Sequence, residues 1–208
     1  MMEGTMHSDG QLIIFVLGSP GSGKGTLCRL VTERLGSSHH RYRHLSVGDY
    51  LRELSHPGTP SRGNGAEHKI IHDHLRDNKL LPADILIPIL KRKIDSTPNE
   101  KSTLTTWLID GFPRNMETAL AFEEKIGKPL KVITLECGRA VAEERFLSRG
   151  REKIDDEKRF DKRHSEYVEN MKAIRNHFAS IMESVPADGN VEQCLKEFMA
   201  VLPPTCSD

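Results

Sequence analysis

Between residues 18 and 26 the chain reads Gly-Ser-Pro-Gly-Ser-Gly-Lys-Gly-Thr, a spacing suited to holding anionic oxygens. Glycines at 18, 21 and 23 permit backbone angles that turn several N–H groups inward, and a helix opening at Lys24 adds the positive end of its dipole. Lys24 carries a mobile cation toward the β- and γ-phosphates of a nucleotide, and a hydroxyl just beyond it can reach Mg²⁺ or a phosphate. The general form of this motif has Ser or Thr directly after the lysine; here Gly25 intervenes and Thr26 follows. Gly21, Ser22, Gly23, Lys24, Gly25 and Thr26 are therefore the expected phosphate site. Asp110 is a second candidate, because it ends the apolar run Trp107-Leu-Ile. An acid in that position commonly orients the water shell of Mg²⁺.

A frame must bring these groups together. Leu12–Leu17 is an unbroken apolar run, as expected of a strand buried on both faces in a parallel sheet, and a helical pattern runs from Lys24 to about Leu35. A short strand entering a short helix is expected around 44–54. Helices follow near 66–77 and 84–95, either side of the turn Asp77-Asn-Lys-Leu-Leu-Pro. Strands at 106–111 and 131–137 alternate with helices at 116–126, 139–148 and 157–183. A short strand near Met182–Pro186 and a helix from Val191 to Val201 close the pattern. Residues 56–65 and 96–105 are loop by composition. Strands alternating with helices imply right-handed crossovers and an α/β fold: a P-loop NTPase-like parallel β-sheet flanked by helices. Residues 1–10 are expected to be a disordered leader and 203–208 a tail.

Of the 208 residues, 30 are Lys or Arg and 30 are Asp or Glu, so the overall charge gives no reason to expect a nucleic acid or a membrane surface as partner. No apolar run approaches a membrane span. Cys28, Cys137, Cys194 and Cys206 form no CxxC pair, which suits free thiols in a reducing compartment. The first residues lack the pattern of a secretory signal. The expectation is a cytoplasmic monomer, with the nucleus open as a second compartment. The histidines have no ligand spacing that suggests a metal. No Asn-Lys-x-Asp segment occurs to read guanine, which disfavours a GTPase.

Four further segments match a known pattern in order. Ser46-Val-Gly-Asp-Tyr-Leu-Arg52 resembles S-x-G-D-L-L-R; Asp77-Asn-Lys-Leu-Leu-Pro82 resembles G-K-I-V-P; Leu108-Ile-Asp-Gly-Phe-Pro-Arg-Asn115 resembles L-I-D-G-F-P-R-N; and Glu144-Arg-Phe-Leu-Ser-Arg-Gly150 resembles E-R-x-L-x-R-G. Asp155-Asp156 and Lys162-Arg163 resemble the acidic and basic pairs that follow. With Gly18–Thr26, these make residues 11–202 similar to the nucleoside monophosphate kinases of the adenylate kinase and UMP/CMP kinase group. The resemblance implies an ATP donor, Mg²⁺, a nucleoside monophosphate acceptor, a helical insert for that acceptor at about 46–82, and a short lid at about 150–162. It implies that Arg52 and Arg114 hold the acceptor's phosphate. Arg145 and Arg149 would face ATP, the first along the adenine, and Arg163 would reach the transferring group. Lys24, Arg114, Arg149 and Arg163 become the expected catalytic set. Ser46, Gly48, Leu80, Leu81, Gly111 and Thr118 would line the acceptor site, and Gly189 would lie near the ATP adenine.

This chain also departs from the pattern. Lys153 stands where the lid arginine is expected, which keeps the charge and loses the forked donors, and Arg151 is the residue placed to compensate. Thr118 stands where the family carries a base-reading Gln or Asn; a hydroxyl offers one contact where an amide offers a pair. Asn115, Val47, Leu90-Lys-Arg-Lys and Leu135-Glu-Cys resemble the UMP/CMP branch. The reading is therefore a UMP/CMP kinase, with an adenylate kinase as alternative. A nucleotide-binding switch or scaffold with catalysis lost is a third, supported by the altered lid.

Overall fold

The computed structural model describes residues 11–37, 39–56, 65–97, 103–149 and 156–203. In chain order the elements are β1 (Gln11–Gly18), α1 (Lys24–Arg34), β2 (His40–Ser46), α2 (Val47–Leu54), α3 (Gly65–Arg76), α4 (Ala83–Asp95) and β3 (Leu104–Asp110). Then come α5 (Met116–Lys125), β4 (Lys131–Glu136), α6 (Arg139–Ser148), α7 (Glu157–His177), β5 (Met182–Pro186) and α8 (Val191–Ala200). The strands form one sheet in the order β2-β3-β1-β4-β5, and every pairing is parallel.

The apolar run of β1 makes it the middle strand. Side chains alternate between the faces of a strand. Ile13, Phe15 and Leu17 enter a core built with α4, α5 and α7, and Ile14 and Val16 enter a second core with α1 and α8. On the first face Phe15 meets Phe112, Phe122 and Phe178 edge-on, with ring centroids 5.2, 5.0 and 5.9 Å apart. Such edge-to-face pairs add to the gain from burying the rings. Phe112 belongs to the turn after β3 and is 1% exposed, so the core anchors the segment that carries Arg114.

Register brings the strand ends level. Val16 pairs with Asp110, Ser46 with Asp110, and Gly18 with Leu135. The carboxyl ends of β1, β2 and β3 thus open on one crevice, the place where ligands bind in open α/β sheets. Helix starts are set by local side chains: Ser46 accepts from the Asp49 N–H, Asn115 from Thr118, and Asp156 from Arg159. Asn190 and Gln193 form a reciprocal capping box at α8.

Two element boundaries differ most from expectation. β2 begins at His40 rather than near 44. α7 stops at His177, where Phe178 turns into the core, rather than continuing to 183. Residues 156–162 of the expected lid are the cap and first turns of α7. Its other part, 150–155, lies outside the described residues, as do the leader and most of the expected tail.

Candidate active site

The glycine-rich loop wraps over the end of β1. Gly23 caps α1 at φ 88°, a left-handed conformation that glycine adopts without strain. Gly21 is required for a second reason: a Cβ there would sit 1.9 Å from the Ala142 carbonyl oxygen on α6. Lys24 Nζ donates to the carbonyls of Gly18 (2.8 Å) and Ser19 (2.9 Å) and to Ser22 Oγ (3.2 Å). The lysine is thereby folded back over its own loop, poised to exchange these contacts for phosphate oxygens.

The loop opens on a cleft of about 610 Å³, well within the range of small-molecule sites. Gly21 to Thr26, Ser46, Asp110, Arg145, Arg149 and Gly189 line it. A second cleft of about 300 Å³ is lined by Val47, Leu81 and Thr118, with walls from α3 and the turn after it. Gly48, Arg52, Leu80, Gly111, Arg114 and Arg163 line both. All the expected site residues thus face one continuous space except Arg151, which lies outside the described residues along with Lys153.

Charge in that space is unbalanced. A Cβ on Gly48 would lie 3.5 Å from Arg52 Nη2 and 3.6 Å from Arg114 Nη2, so two guanidiniums approach the same backbone. Arg52 also donates to Asp49 Oδ1 at 2.6 Å, and Arg149 stacks on the Phe146 ring at 4.0 Å. Burial pushes the Lys24 ammonium down to about 8, with Asp110 opposing and Arg114 and Arg163 adding to the shift. Burial, then the guanidiniums of Arg114 and Arg149, push Arg163 down to about 10. Burial also lowers Arg114, against the pull of Asp110. Cations whose charge is disfavoured first by burial and then by one another form a site suited to an anion.

This has a measurable consequence. In the free protein Lys24 loses its proton as pH rises through about 8, and an entering polyphosphate restores it by favouring the charged form. Nucleotide binding above pH 8 should therefore take up protons, and affinity should fall as pH rises past that point. Calorimetric titrations in buffers of different ionisation enthalpy would measure the uptake, which Lys24→Met should remove.

Asp110 is 7% exposed and touches His44, Nε2 to Oδ2 3.4 Å. Among the described residues no three His, Cys, Asp or Glu side chains converge on one point. One carboxylate and the Thr26 hydroxyl in the same cleft fit a hard divalent ion that takes most of its ligands from water and phosphates.

Two expected contacts have other engagements. Arg145 lines the larger cleft, but its guanidinium donates to the carbonyls of Ala187 (2.6 Å), Asp188 (3.1 Å) and Gly189 (2.8 Å). It buckles that loop to α6, and only its planar face is left for a base. Thr118 is 3% exposed, and its hydroxyl donates to Asn115 Oδ1 at 2.8 Å, while Asn115 caps α5. The hydroxyl proton is committed to Asn115, and Asn115 Oδ1 takes both that proton and the Thr118 N–H. The sequence reading placed Arg163 but missed the rest of its wall: Arg159, Glu166 and Asn170 join it on α7 in lining the clefts. Their spacing of three and four residues is a helical stripe, and that periodicity was the signal available.

A lysine-bearing glycine loop at the end of the middle parallel strand, facing converged arginines, defines a P-loop nucleotide-binding protein. The family model described as "Adenylate kinase" matches residues 16–183, and the chain belongs to that family. It is 35% identical over 173 residues to the Arabidopsis thaliana protein named UMP-CMP kinase 3, covering 83% of this chain and 71% of that one. It is 32% identical over 197 residues to the Oryza sativa subsp. japonica UMP-CMP kinase 3 (92% of this chain, 86% of the other). With the Mus musculus UMP-CMP kinase it shares 29% over 198 residues (91% and 96%). No helix among the described residues is long and apolar enough to cross a membrane.

Proposed function

We propose that this nucleoside monophosphate kinase uses UMP and CMP as its acceptors, converting them with ATP to the diphosphates and ADP. The observation that carries the reading is that Arg52, Arg114 and Arg163 line both clefts. ATP in the larger cleft places its phosphates on the glycine-rich loop. A monophosphate in the smaller cleft places its phosphate at the junction, where those guanidiniums stand.

The nucleophile is then a phosphate oxygen, already anionic, and needs no general base. The barrier lies in bringing two anions together and in the charge that spreads over the transferring group. Arg52 and Arg114 hold the acceptor phosphate with forked donors. Lys24, Arg149 and Arg163 neutralise charge on the group in transit. Mg²⁺ bound with ATP would supply further charge neutralisation, and Asp110, through water, and Thr26 are the groups that would hold it. Arg151 is a further candidate for substrate contact. Ser46, Gly48, Gly111, Leu80 and Leu81 shape the acceptor side, and Gly189 with the face of Arg145 the adenine side.

The pyrimidine preference rests on the relatives named UMP-CMP kinases and on Val47, 4% exposed at the smaller cleft, where that branch carries a small apolar residue. Steady-state kinetics with UMP, CMP and AMP under saturating ATP and Mg²⁺ test it. UMP and CMP should both be phosphorylated, and AMP more slowly but measurably. A kcat/KM for AMP about tenfold above both pyrimidines would make the protein an adenylate kinase instead.

A further inference from the structure

The smaller cleft lacks the side chain expected to read the base. Thr118 reaches it, but its hydroxyl proton is donated to Asn115, which leaves it no donor for a base. Of the other polar groups at hand, Ser55 Oγ donates to the Arg52 carbonyl, His74 Nδ1 bonds the Ile70 carbonyl at 2.8 Å, and His72 Nδ1 lies 3.5 Å from Asp73 Oδ1. One residue is different. Asn78 is the sole Asn or Gln among the described residues lining this cleft, and its amide has no hydrogen-bond partner among the described residues.

The backbone at Asn78 explains how the amide comes to be there. Lys79 N–H donates to the His74 carbonyl (2.8 Å) and Asn78 N–H to the Leu75 carbonyl (3.2 Å), the paired bonds of a Schellman end to α3. Such an end needs a left-handed residue, and Asn78 is the one described non-glycine residue with positive φ, at 53°. Glycine is the usual occupant; asparagine is among the few others that tolerate the conformation. In the Gly-Lys-Ile-Val-Pro pattern that this turn resembles, Asn78 stands at the glycine. The chain thus carries an amide at the mouth of the acceptor cleft where that pattern has no side chain, and a hydroxyl at 118 where the family carries the amide.

We propose that Asn78 reads the base of the acceptor nucleotide, replacing from the α3–α4 turn the amide absent at 118. A carboxamide offers one donor and one acceptor. It can accept from the cytosine 4-amino group while donating to N3, or turn over to donate to uracil O4 while accepting from N3–H. This accommodates both pyrimidines with one side chain. The inference rests on the smaller cleft being the acceptor site.

The test exploits the left-handed backbone. Asn78→Gly removes the amide yet suits φ 53° as well or better, so the melting temperature should hold, which confirms an intact fold. The probe is CMP against the 5′-monophosphate of 2-pyrimidinone riboside, which lacks the exocyclic amine. A site that hydrogen-bonds a group rejects analogues lacking it. Wild type should prefer CMP by about tenfold or more in kcat/KM, and Asn78→Gly by less than about threefold, the loss falling on CMP. AMP against purine riboside monophosphate gives the same comparison if AMP is the better acceptor. Equal preference ratios in the two proteins overturn the role of Asn78 and leave the kinase reading standing. Phosphorylation of no monophosphate by wild type overturns both.

Discussion

Lys24→Ala should lower kcat/KM by about a thousandfold or more, equivalent to about 4 kcal/mol of transition-state stabilisation. The ammonium rests on the Gly18 and Ser19 carbonyls and on Ser22 Oγ beside the larger cleft, within reach of a phosphate that would replace those contacts. Burial holds its pKa near 8; a charge kept in a site that disfavours it is worth most when an anion arrives. The lysine bonds only its own loop, whereas the fold rests on the two cores either side of β1, so circular dichroism and melting temperature should change little. A variant retaining more than about a tenth of wild-type activity would remove Lys24 from the chemistry.

Arg114 should be the next most sensitive position. Its turn is anchored by Phe112 in the aromatic core, its Nε donates to the Gly111 carbonyl at 3.2 Å, and its Nη2 approaches Gly48 alongside Arg52. Arg114→Lys keeps the charge and loses the paired donors, and should cost at least about tenfold in kcat/KM. Arg114→Ala should cost about a hundredfold or more, since two charge-assisted bonds are lost. The penalty should be nearly the same for UMP, CMP and AMP, because the contact is to phosphate. A loss confined to one base would make Arg114 a base reader and not a phosphate clamp.

Sequence legibility followed how local the controlling physics is. The strand–glycine loop–helix unit at 11–34 could be read because each part is set by its own residues: an unbroken apolar run, glycines at turning points, and a lysine opening a helix. β5 matched its expected bounds, Met182–Pro186. β2 was only half visible. Its His-Arg-Tyr-Arg-His-Leu-Ser sequence has the polar content of an edge strand, and its seven-residue register with β3 is a tertiary fact. The end of α7 was misjudged because Phe178-Ala-Ser-Ile carries no glycine or proline to mark a stop; the helix ends because Phe178 packs on Phe15.

The site divides in the same way. Lys24, Asp110 and the arginines could be found from motif spacing, and the structure brings the described ones together. The commitments of Arg145 to residues 187–189 and of Thr118 to Asn115 could not, because each depends on which neighbour folding supplies. A helix-capping asparagine leaves its mark in the sequence, but not the fact that it captures a hydroxyl meant for a base. Asn78 was hidden for a related reason: as a turn residue it needs no further explanation until its cleft is seen to lack any other free amide.

Two clefts that act as one phosphoryl-transfer site must pass the γ-phosphoryl group from one nucleotide to the other. The most direct measurement is the fate of the γ-phosphoryl group. Protein, Mg²⁺, CMP and ATP labelled at the γ-phosphate should yield ADP and CDP in equal amounts, with the label in the β-phosphate of CDP. Omitting CMP should leave ATP largely intact, because an incomplete site does not assemble around water. Label recovered only as inorganic phosphate, or tight binding of both nucleotides with no CDP formed, would contradict the account.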